Sequence, residues 1–452
     1  MRQWTPERVA QAGGARLIAS SPSGVGPERA TIDSRDAAPG SLFVGLRGAH
    51  ADGGAFAAQA LASGAWGALT TPEHAEALRA ETAGVLLAAD DPLLAMQTLA
   101  TAWRRELAAG VIGITGSTGK TSTKDLLLAL LAPHRRTVAS RANYNTEIGL
   151  PLEILGAPPE TELLVLEMAM RGMGQIAELA RIAEPDVAVI VSVGPVHLEL
   201  LGTVQAVAAA KAELIAGLAP GGTAIVPAGE RLLDAYLRPE VQTTTFGPGG
   251  DVHLLEEEDE HVLIAAGGER ISLEVPFRQA HLRANLLAAV AAARAVGVTP
   301  SGRVELALTA GRGEIVVLPG GITVIDGCYN ANPMSMRAAL SDLAASAARA
   351  SAARRVAVLG DMLELGPQAG AYHAELGELA NRAGVDLLVT VGPLAAAIAE
   401  RFDGEARSLA DSEEAAAVVP GLVRAGDYVL VKGSLGVGLK AVCRALGVGT
   451  AG

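Results

Sequence analysis

The sequence predicts an α/β protein of three domains: a small α/β N-terminal domain, a central P-loop domain on a doubly wound, mostly parallel sheet, and a Rossmann-like C-terminal domain. Three observations carry that expectation. At 452 residues the chain exceeds what a single hydrophobic core supports. Short apolar runs alternate with helical stretches, and the alternation stops and restarts near residue 312. One of those runs passes through a glycine-rich turn into a helix. The expected domains are 1–107, 108–312 and 313–452.

Taken in order, residues 1–107 mix apolar runs (SLFVGL, GVLLAAD) with helical stretches (HAEALRAE, PLLAMQTLATAWRREL). From Val111 onward the strands VIGIT, LLVLEM, VAVIVSV and TAIVP are short and apolar throughout, the mark of a buried and largely parallel sheet. A hairpin-like insertion, HVLIAAGGERISLEVPF, precedes the helix HLRANLLAAVAAARAVG, and TAGRGEIVVLPGG reads as a linker. After it come ITVID, RRVAVLG, DLLVTVG and YVLVKG, separated by SMRAALSDLAASAARA and YHAELGELANRAG, a second doubly wound pattern.

Composition excludes several classes. A net charge of -13 without clustered basic residues argues against nucleic acid as a partner. No apolar stretch of about 18 residues runs free of charge, Pro and Gly, so no membrane insertion is expected. The N-terminus MRQWTPERVA lacks the features of a signal peptide, and two cysteines, Cys328 and Cys443, cannot build a disulfide framework; a cytoplasmic location fits both. Of 36 basic residues five are lysines: Lys120, Lys124, Lys211, Lys432 and Lys440. A chain that uses Arg for generic positive charge keeps Lys where a compact ammonium or a reactive amine is needed. Asparagine is equally sparse, and five of its six copies (Asn143, Asn145, Asn285, Asn330 and Asn332, but not Asn381) fall in the motifs below.

The strongest motif is VIGITGSTGKTSTKDLLLALL. Gly116, Ser117, Thr118, Gly119, Lys120, Thr121 and Ser122 form a turn between strand and helix, where backbone N–H groups and the helix N-terminus cradle phosphates, Lys120 neutralises them and the Thr121 hydroxyl can bind Mg²⁺. The spacing departs from the general pattern, because Gly113 lies six residues before Gly119 and Ile occupies position 114. A nucleoside triphosphate is implied; a glycine-rich turn without ligand is the bland alternative. Glu167 and His197 end successive strands on the edge where this turn opens, so with Thr121 they can complete a metal site, against the ordinary readings of a helix cap and a core histidine. Lys211, in TVQAVAAAKAELIAGL, is either a solvated helix lysine or an amine kept for its chemistry.

TGSTGKT, RANYNTEIGLPLEIL, LEMAMRGMGQIAEL, VGPVHLELLG, AAKAELI, DGCYNANPMSM, VLGDMLELG and VKGS stand in the order and spacing of the Mur ligases, and the chain resembles that family over essentially its whole length. The resemblance implies an ATP-dependent ligase that activates a carboxylate as an acyl phosphate and joins it to an amine. DGCYNANPMSM points to the dipeptide-adding branch, with UDP-N-acetylmuramoyl-tripeptide and D-alanyl-D-alanine as substrates in peptidoglycan precursor synthesis. A sister activity that adds another amino acid, or an inactive nucleotide-binding scaffold, are the alternatives. By the same resemblance Ser34, Arg35, Asp52 and Gly53 hold the uridine diphosphate end, and Asn143, Asn145 and Thr146 face the sugar-peptide. Thr121, Glu167 and His197 bind Mg²⁺ with Lys211, which is N-carboxylated to a carbamate; Lys120, Lys211 and His197 serve catalysis. Asn285 and Arg312 contact ATP, Asp326, Tyr329 and Asn330 close over it, and Lys432 and Ser434 meet the dipeptide; a monomer is expected. Two positions depart from the family: Leu282 follows His281 where Asn is expected, and Leu435 replaces the arginine of KGSR.

Overall fold

The computed structural model describes residues 1–20, 25–80, 84–141, 143–306 and 311–449; Thr309 and Ala310 of the expected linker and Glu81 of the HAEALRAE helix lie outside them. The first sheet contains β1 (Arg16–Ala19), β2 (Arg29–Thr31), β3 (Ser41–Val44), β4 (Gly67–Thr70) and β5 (Val85–Ala88) in the order β1-β5-β4-β3-β2. Strands β2 to β5 are parallel and β1 runs antiparallel to β5. Every residue of β3, β4 and β5 is buried, which is why SLFV, GALT and VLLA read as continuous apolar runs.

Helix Pro92–Leu107 joins this sheet to the next. Asp91 caps it through Oδ1, which accepts from the N–H groups of Leu93 and Leu94 at 3.0 Å, and Pro92 occupies the first turn, where a missing N–H costs nothing. The helix buries Trp103, whose Nε1 donates to the Ala157 carbonyl at 3.1 Å while Trp4 meets its ring edge-on at 5.5 Å between centroids. One hydrophobic core therefore runs from Trp4 and Leu42 through Trp103 to Leu150 and Leu164, and the first two domains share it.

The second sheet has ten strands: β6 (Gly110–Thr115), β7 (Thr137–Ala139), β8 (Leu163–Glu167), β9 (Val187–Ile190), β10 (Thr223–Pro227), β11 (Gln242–Phe246), β12 (Val252–Glu258), β13 (His261–Ala266), β14 (Glu269–Glu274) and β15 (Gly302–Arg303). Their order is β15-β14-β13-β12-β11-β10-β9-β6-β8-β7. After β6 the chain moves to one edge through β7 and returns with β8, then crosses β6 to lay down β9, so the loops following β6, β8 and β9 open side by side at one end of the sheet. The hairpin expected as an insertion is β13–β14, and it extends this sheet through antiparallel pairing with β12.

The third sheet contains β16 (Glu314–Leu318), β17 (Ile322–Gly327), β18 (Arg354–Gly360), β19 (Leu387–Val391), β20 (Glu405–Leu409) and β21 (Asp427–Lys432), ordered β16-β17-β21-β18-β19-β20. All neighbours are parallel except β16 with β17. Here the linker reading of TAGRGEIVVLPGG is corrected: its EIVVL segment is an edge strand. Val317 is 71% exposed and only Val316 and Leu318 pack inward, half-buried, so this edge strand lacks the fully buried run of its neighbours. Helices Pro333–Arg349 and Ala369–Arg382 cover one face of the sheet, and Ser412–Leu422 with Lys440–Leu446 cover the other. Among the described residues no helix is long and apolar enough to cross a membrane.

Candidate active site

Between β6 and the helix Lys120–Leu131 the turn is held by the loop that follows β9. Ser117 Oγ donates to the Gly194 carbonyl at 3.0 Å and accepts from Gly194 N at 2.9 Å, and Ser192 Oγ accepts from Thr118 N at 2.9 Å. Gly119 has φ 85°, and a Cβ there would stand 2.5 Å from Asn285 Oδ1 and 2.8 Å from Val191 Cγ1. Both the left-handed backbone and the approach of Asn285 therefore require glycine. Gly119→Ala is expected to lower stability by about 1–3 kcal/mol from the backbone conformation alone, and urea unfolding of the ligand-free protein checks it. Lys120 Nζ donates to the Gly116 carbonyl at 2.7 Å. Burial, with Arg312 adding to it, holds its pKa below the ordinary value, against the pull of Glu167.

Glu167 is 1% exposed and lies at the end of β8. Its Oε2 accepts from Thr121 Oγ1 at 2.6 Å, its Oε1 accepts from Asn145 Nδ2 at 2.9 Å, and Ser140 Oγ accepts its N–H at 3.0 Å. The sequence-predicted Thr121, Glu167 and Asn145 are thus in direct contact. A buried carboxylate with neutral donors and no ion pair among the described residues is a site that fits a cation, and oxygen donors suit Mg²⁺. Lys211, in helix Val204–Ala216, is 2% exposed and makes no hydrogen bond or ion pair among the described residues. Burial, reinforced by the charge of Lys120, pushes its pKa well below the ordinary lysine value, which favours the uncharged amine.

His197 ends the loop after β9, at the N-cap of the short helix Leu198–Leu201, with φ 53°, and its Nδ1 lies 2.5 Å from Glu364 Oε2 of the third domain. Burial lowers its pKa while Glu364 opposes the shift. The residues of the loop and of the third domain enclose a cavity of about 950 Å³, lined by Ser117 to Lys120, Asn145, Thr146, Glu167, His197 and Asn285 on one side and by Arg312, Tyr329, Asn330, Lys432, Ser434 and Leu435 on the other. Asn143 is exposed and does not line it.

On the third-domain side Arg312 stacks over the Tyr329 ring at 4.0 Å, and its Nε is buried without a hydrogen-bond partner among the described residues. Lys432 Nζ donates to the Asn330 carbonyl at 2.8 Å. Burial pulls its pKa from 10.5 down to about 8. The folded state therefore binds Lys432's proton less tightly than the unfolded chain: below pH 8 the buried charge opposes folding, and that penalty fades as pH rises from 8 to 10.5. Lys432→Met is expected to be more stable than the parent near pH 7, with the gain shrinking above pH 8 in urea titrations. Asp326 Oδ1 accepts from Cys328 N at 2.9 Å, and the free thiols of Cys328 and Cys443 touch at 3.4 Å; that contact and burial raise the Cys328 pKa. Leu282 is buried in the second-domain core at the cavity wall, and Leu435 is 67% exposed at its rim.

The first-domain residues stand apart from this cavity. Ser34 Oγ donates to Gln59 Oε1 at 3.3 Å, and Arg35 closes on Asp33, which holds that carboxyl down at about 2. Asp52 accepts from Gly54 N at 3.0 Å and pairs with His74 Nε2 at 3.1 Å; that bond, more than any other contact, lowers the Asp52 pKa. Sequence reasoning gave no role to His74, Ser192, Glu364 or Asn332. Asn332 caps helix Pro333–Arg349 through Oδ1, reciprocated by Ser335, while its Nδ2 donates to the Ser117 carbonyl at 3.2 Å across the domain boundary. Its signal was present, since Asn-Pro before a helical pattern marks a helix start.

Comparison with known proteins gives matches in all three parts of the chain. Descriptions of a Mur ligase family catalytic domain, a Mur ligase middle domain and a Mur ligase glutamate ligase domain match residues 29–109, 114–293 and 311–435. The UDP-N-acetylmuramoyl-tripeptide–D-alanyl-D-alanine ligase of Synechocystis is 37% identical over 420 residues, covering 91% of this chain and 90% of that protein. A MurF crystal structure from Acinetobacter baumannii matches with a TM-score of 0.85 at 28% identity and 98% coverage of both chains. One from Thermotoga maritima, in complex with ADP, matches with a TM-score of 0.80 at 28% identity, covering 93% of this chain and 97% of that one.

Proposed function

The chain belongs to the Mur ligase family, and from that premise we infer that it is the ATP-dependent ligase that joins D-alanyl-D-alanine to UDP-N-acetylmuramoyl-tripeptide in peptidoglycan precursor synthesis. The observation that carries this reading is the cavity in which a phosphate-binding loop of the second domain faces Arg312, Tyr329, Asn330 and Lys432 of the third. One binding surface for a nucleotide and another for an amine meet there, as a ligase needs. We divide the chain at 107 and 312, and assign the uridine diphosphate end of the substrate to Ser34, Arg35, Asp52 and Gly53. Asn143, Asn145 and Thr146 are assigned to its sugar-peptide, and Lys432 and Ser434 to the dipeptide. The monomer acts in the cytoplasm, where ATP is available.

A carboxylate resists amines, so its oxygen first takes the γ-phosphoryl group and ADP leaves. Lys120, released from the Gly116 carbonyl, turns its ammonium to the transferring oxygens, and the N–H groups of Gly119 to Ser122 hold the adjoining phosphates. Thr121, Glu167, His197 and carboxylated Lys211 would hold Mg²⁺, which when bound offsets charge on the phosphates. Asn285 and Arg312 contact ATP, and Asp326, Tyr329 and Asn330 cover it, keeping water from the acyl phosphate. The dipeptide amine then attacks the acyl carbon, the C–O bond to phosphate breaks, and the amine loses its proton.

Phosphate release from ATP and Mg²⁺ tests the reading. It is expected to require both UDP-N-acetylmuramoyl-tripeptide and D-alanyl-D-alanine, with a product heavier by the dipeptide. Turnover with a single amino acid in place of the dipeptide would assign a sister activity, and nucleotide binding without turnover with any amine would leave a scaffold.

A further inference from the structure

The loop after β18, Asp361 to Gly366, is braced at the domain boundary by several hydrogen bonds. Within its own domain Asp361 Oδ1 accepts from Ala395 N at 2.7 Å and its carbonyl accepts from Ser434 N at 3.0 Å. Met362 N donates to Nε2 of fully buried His373 at 2.8 Å, His373 Nδ1 donates to the Ala369 carbonyl at 2.7 Å, and Leu363 N donates to Ser434 Oγ at 3.0 Å. So fixed, the loop turns at Glu364 with φ 63° and reaches into the second domain. Glu364 Oε2 takes His197 Nδ1 at 2.5 Å, its carbonyl accepts from Glu199 N at 3.2 Å, and its Oε1 lies 3.6 Å from Arg171 Nε. His197 and Glu364 are both non-glycine residues held in the left-handed region, a conformation that costs about 1–2 kcal/mol per residue. Two strained residues from different domains thus meet each other.

We propose that Glu364 is a positioning residue through which docking of the third domain completes the cation site of the second. The inference rests on the reading of His197 as a Mg²⁺ ligand. A carboxylate at Nδ1 fixes the proton there, turns the ring, and leaves Nε2 as the basic nitrogen. Because Glu364 comes from the third domain, His197 is held ready only when that domain is docked, and activation of the carboxylate waits until the surface that receives the amine is in place. His373 and Ser434 act one step further back by holding the loop.

The test is Mn²⁺ binding by electron paramagnetic resonance, with the full chain and ADP, alongside steady-state kinetics. Glu364→Ala is expected to weaken Mn²⁺ binding by about 10–100-fold and to lower kcat, with KM for UDP-N-acetylmuramoyl-tripeptide unchanged. Glu364→Gln, which keeps an acceptor at the same reach, should retain more of both. With His197 already replaced by alanine, Glu364→Ala should weaken Mn²⁺ binding no further. Unchanged Mn²⁺ affinity in Glu364→Ala overturns the proposal, as does an additive loss in the double variant. Parent affinity in His197→Ala overturns it too, through the ligand role on which it rests. If the parent protein binds Mn²⁺ in the expected pattern but makes no product, the ligase reading fails and the positioning role stands.

Discussion

Replacing Lys211 by alanine is expected to lower kcat by about 10²–10³-fold, the scale seen when a charge stabilising a transferring group is lost. Short carboxylates such as acetate should restore part of it. The reasoning starts from burial. Lys211 is 2% exposed on a helix otherwise built of small and apolar residues, no acceptor among the described residues takes its protons, and Lys120 repels its charge. Its pKa is therefore lowered, which favours the uncharged amine. A neutral amine adds CO₂: the nitrogen lone pair forms a C–N bond, a proton leaves, and a carbamate anion remains. That anion would replace the repulsion of two lysines by attraction to Lys120 and would offer an oxygen ligand to a cation. Arginine cannot follow this route, so Lys211→Arg should be as impaired as Lys211→Ala and no carboxylate should rescue it. With ¹³C-bicarbonate, the parent protein should give a carbamate carbon signal that Lys211→Ala lacks. Full activity in Lys211→Ala, or identical spectra from the two proteins, would sink the carbamate.

What could be read in the sequence was whatever repeats or stays local. The buried parallel strands β6, β8, β9 and β10 are unbroken apolar runs, and the phosphate loop keeps strand, glycines, Lys120 and helix within one segment. The scarcity of lysine singled out five residues, of which Lys120, Lys211 and Lys432 are desolvated with a lowered pKa, whereas Lys124 pairs with Asp125 at 2.6 Å and Lys440 begins the helix Lys440–Leu446. Strand β16 escaped because it is short, lies at a sheet edge and exposes Ile315 and Val317 while only Val316 and Leu318 pack inward. The cross-domain contacts escaped for a different reason: Asn332 and Ser117 are 215 positions apart and Glu364 and His197 are 167 apart, so no local pattern relates them. A cap such as Asn332 advertises its helix and gives no sign that its amide also reaches a phosphate loop. Likewise Glu364 sits in a quoted motif, VLGDMLELG, yet its partner is set by how two domains dock.

Lys120→Ala should lower kcat by about 10³-fold, roughly 4 kcal/mol of lost transition-state stabilisation. Nucleotide affinity should fall less, because the cradle of N–H groups and the helix N-terminus survive the substitution. The ammonium is tied to the Gly116 carbonyl at 2.7 Å in a desolvated site facing Arg312. Burial and Arg312 both disfavour its charge, so a neighbouring anion gains more from this ammonium than it would in water. Phosphate oxygens supply that anion, and their charge rearranges as the γ-phosphoryl group moves, so the ammonium is worth most at the transition state and its loss appears in kcat. Lys120→Arg is expected to fail almost as badly: a planar guanidinium cannot fold back over its own turn onto the same point. This chain already places Arg wherever a generic cation suffices. Calorimetric ADP binding set against kcat for the two variants decides the matter. A Lys120→Arg protein with parent kcat would mean that only net charge is needed there, and a loss confined to ADP binding would move Lys120 from the chemical step to nucleotide capture.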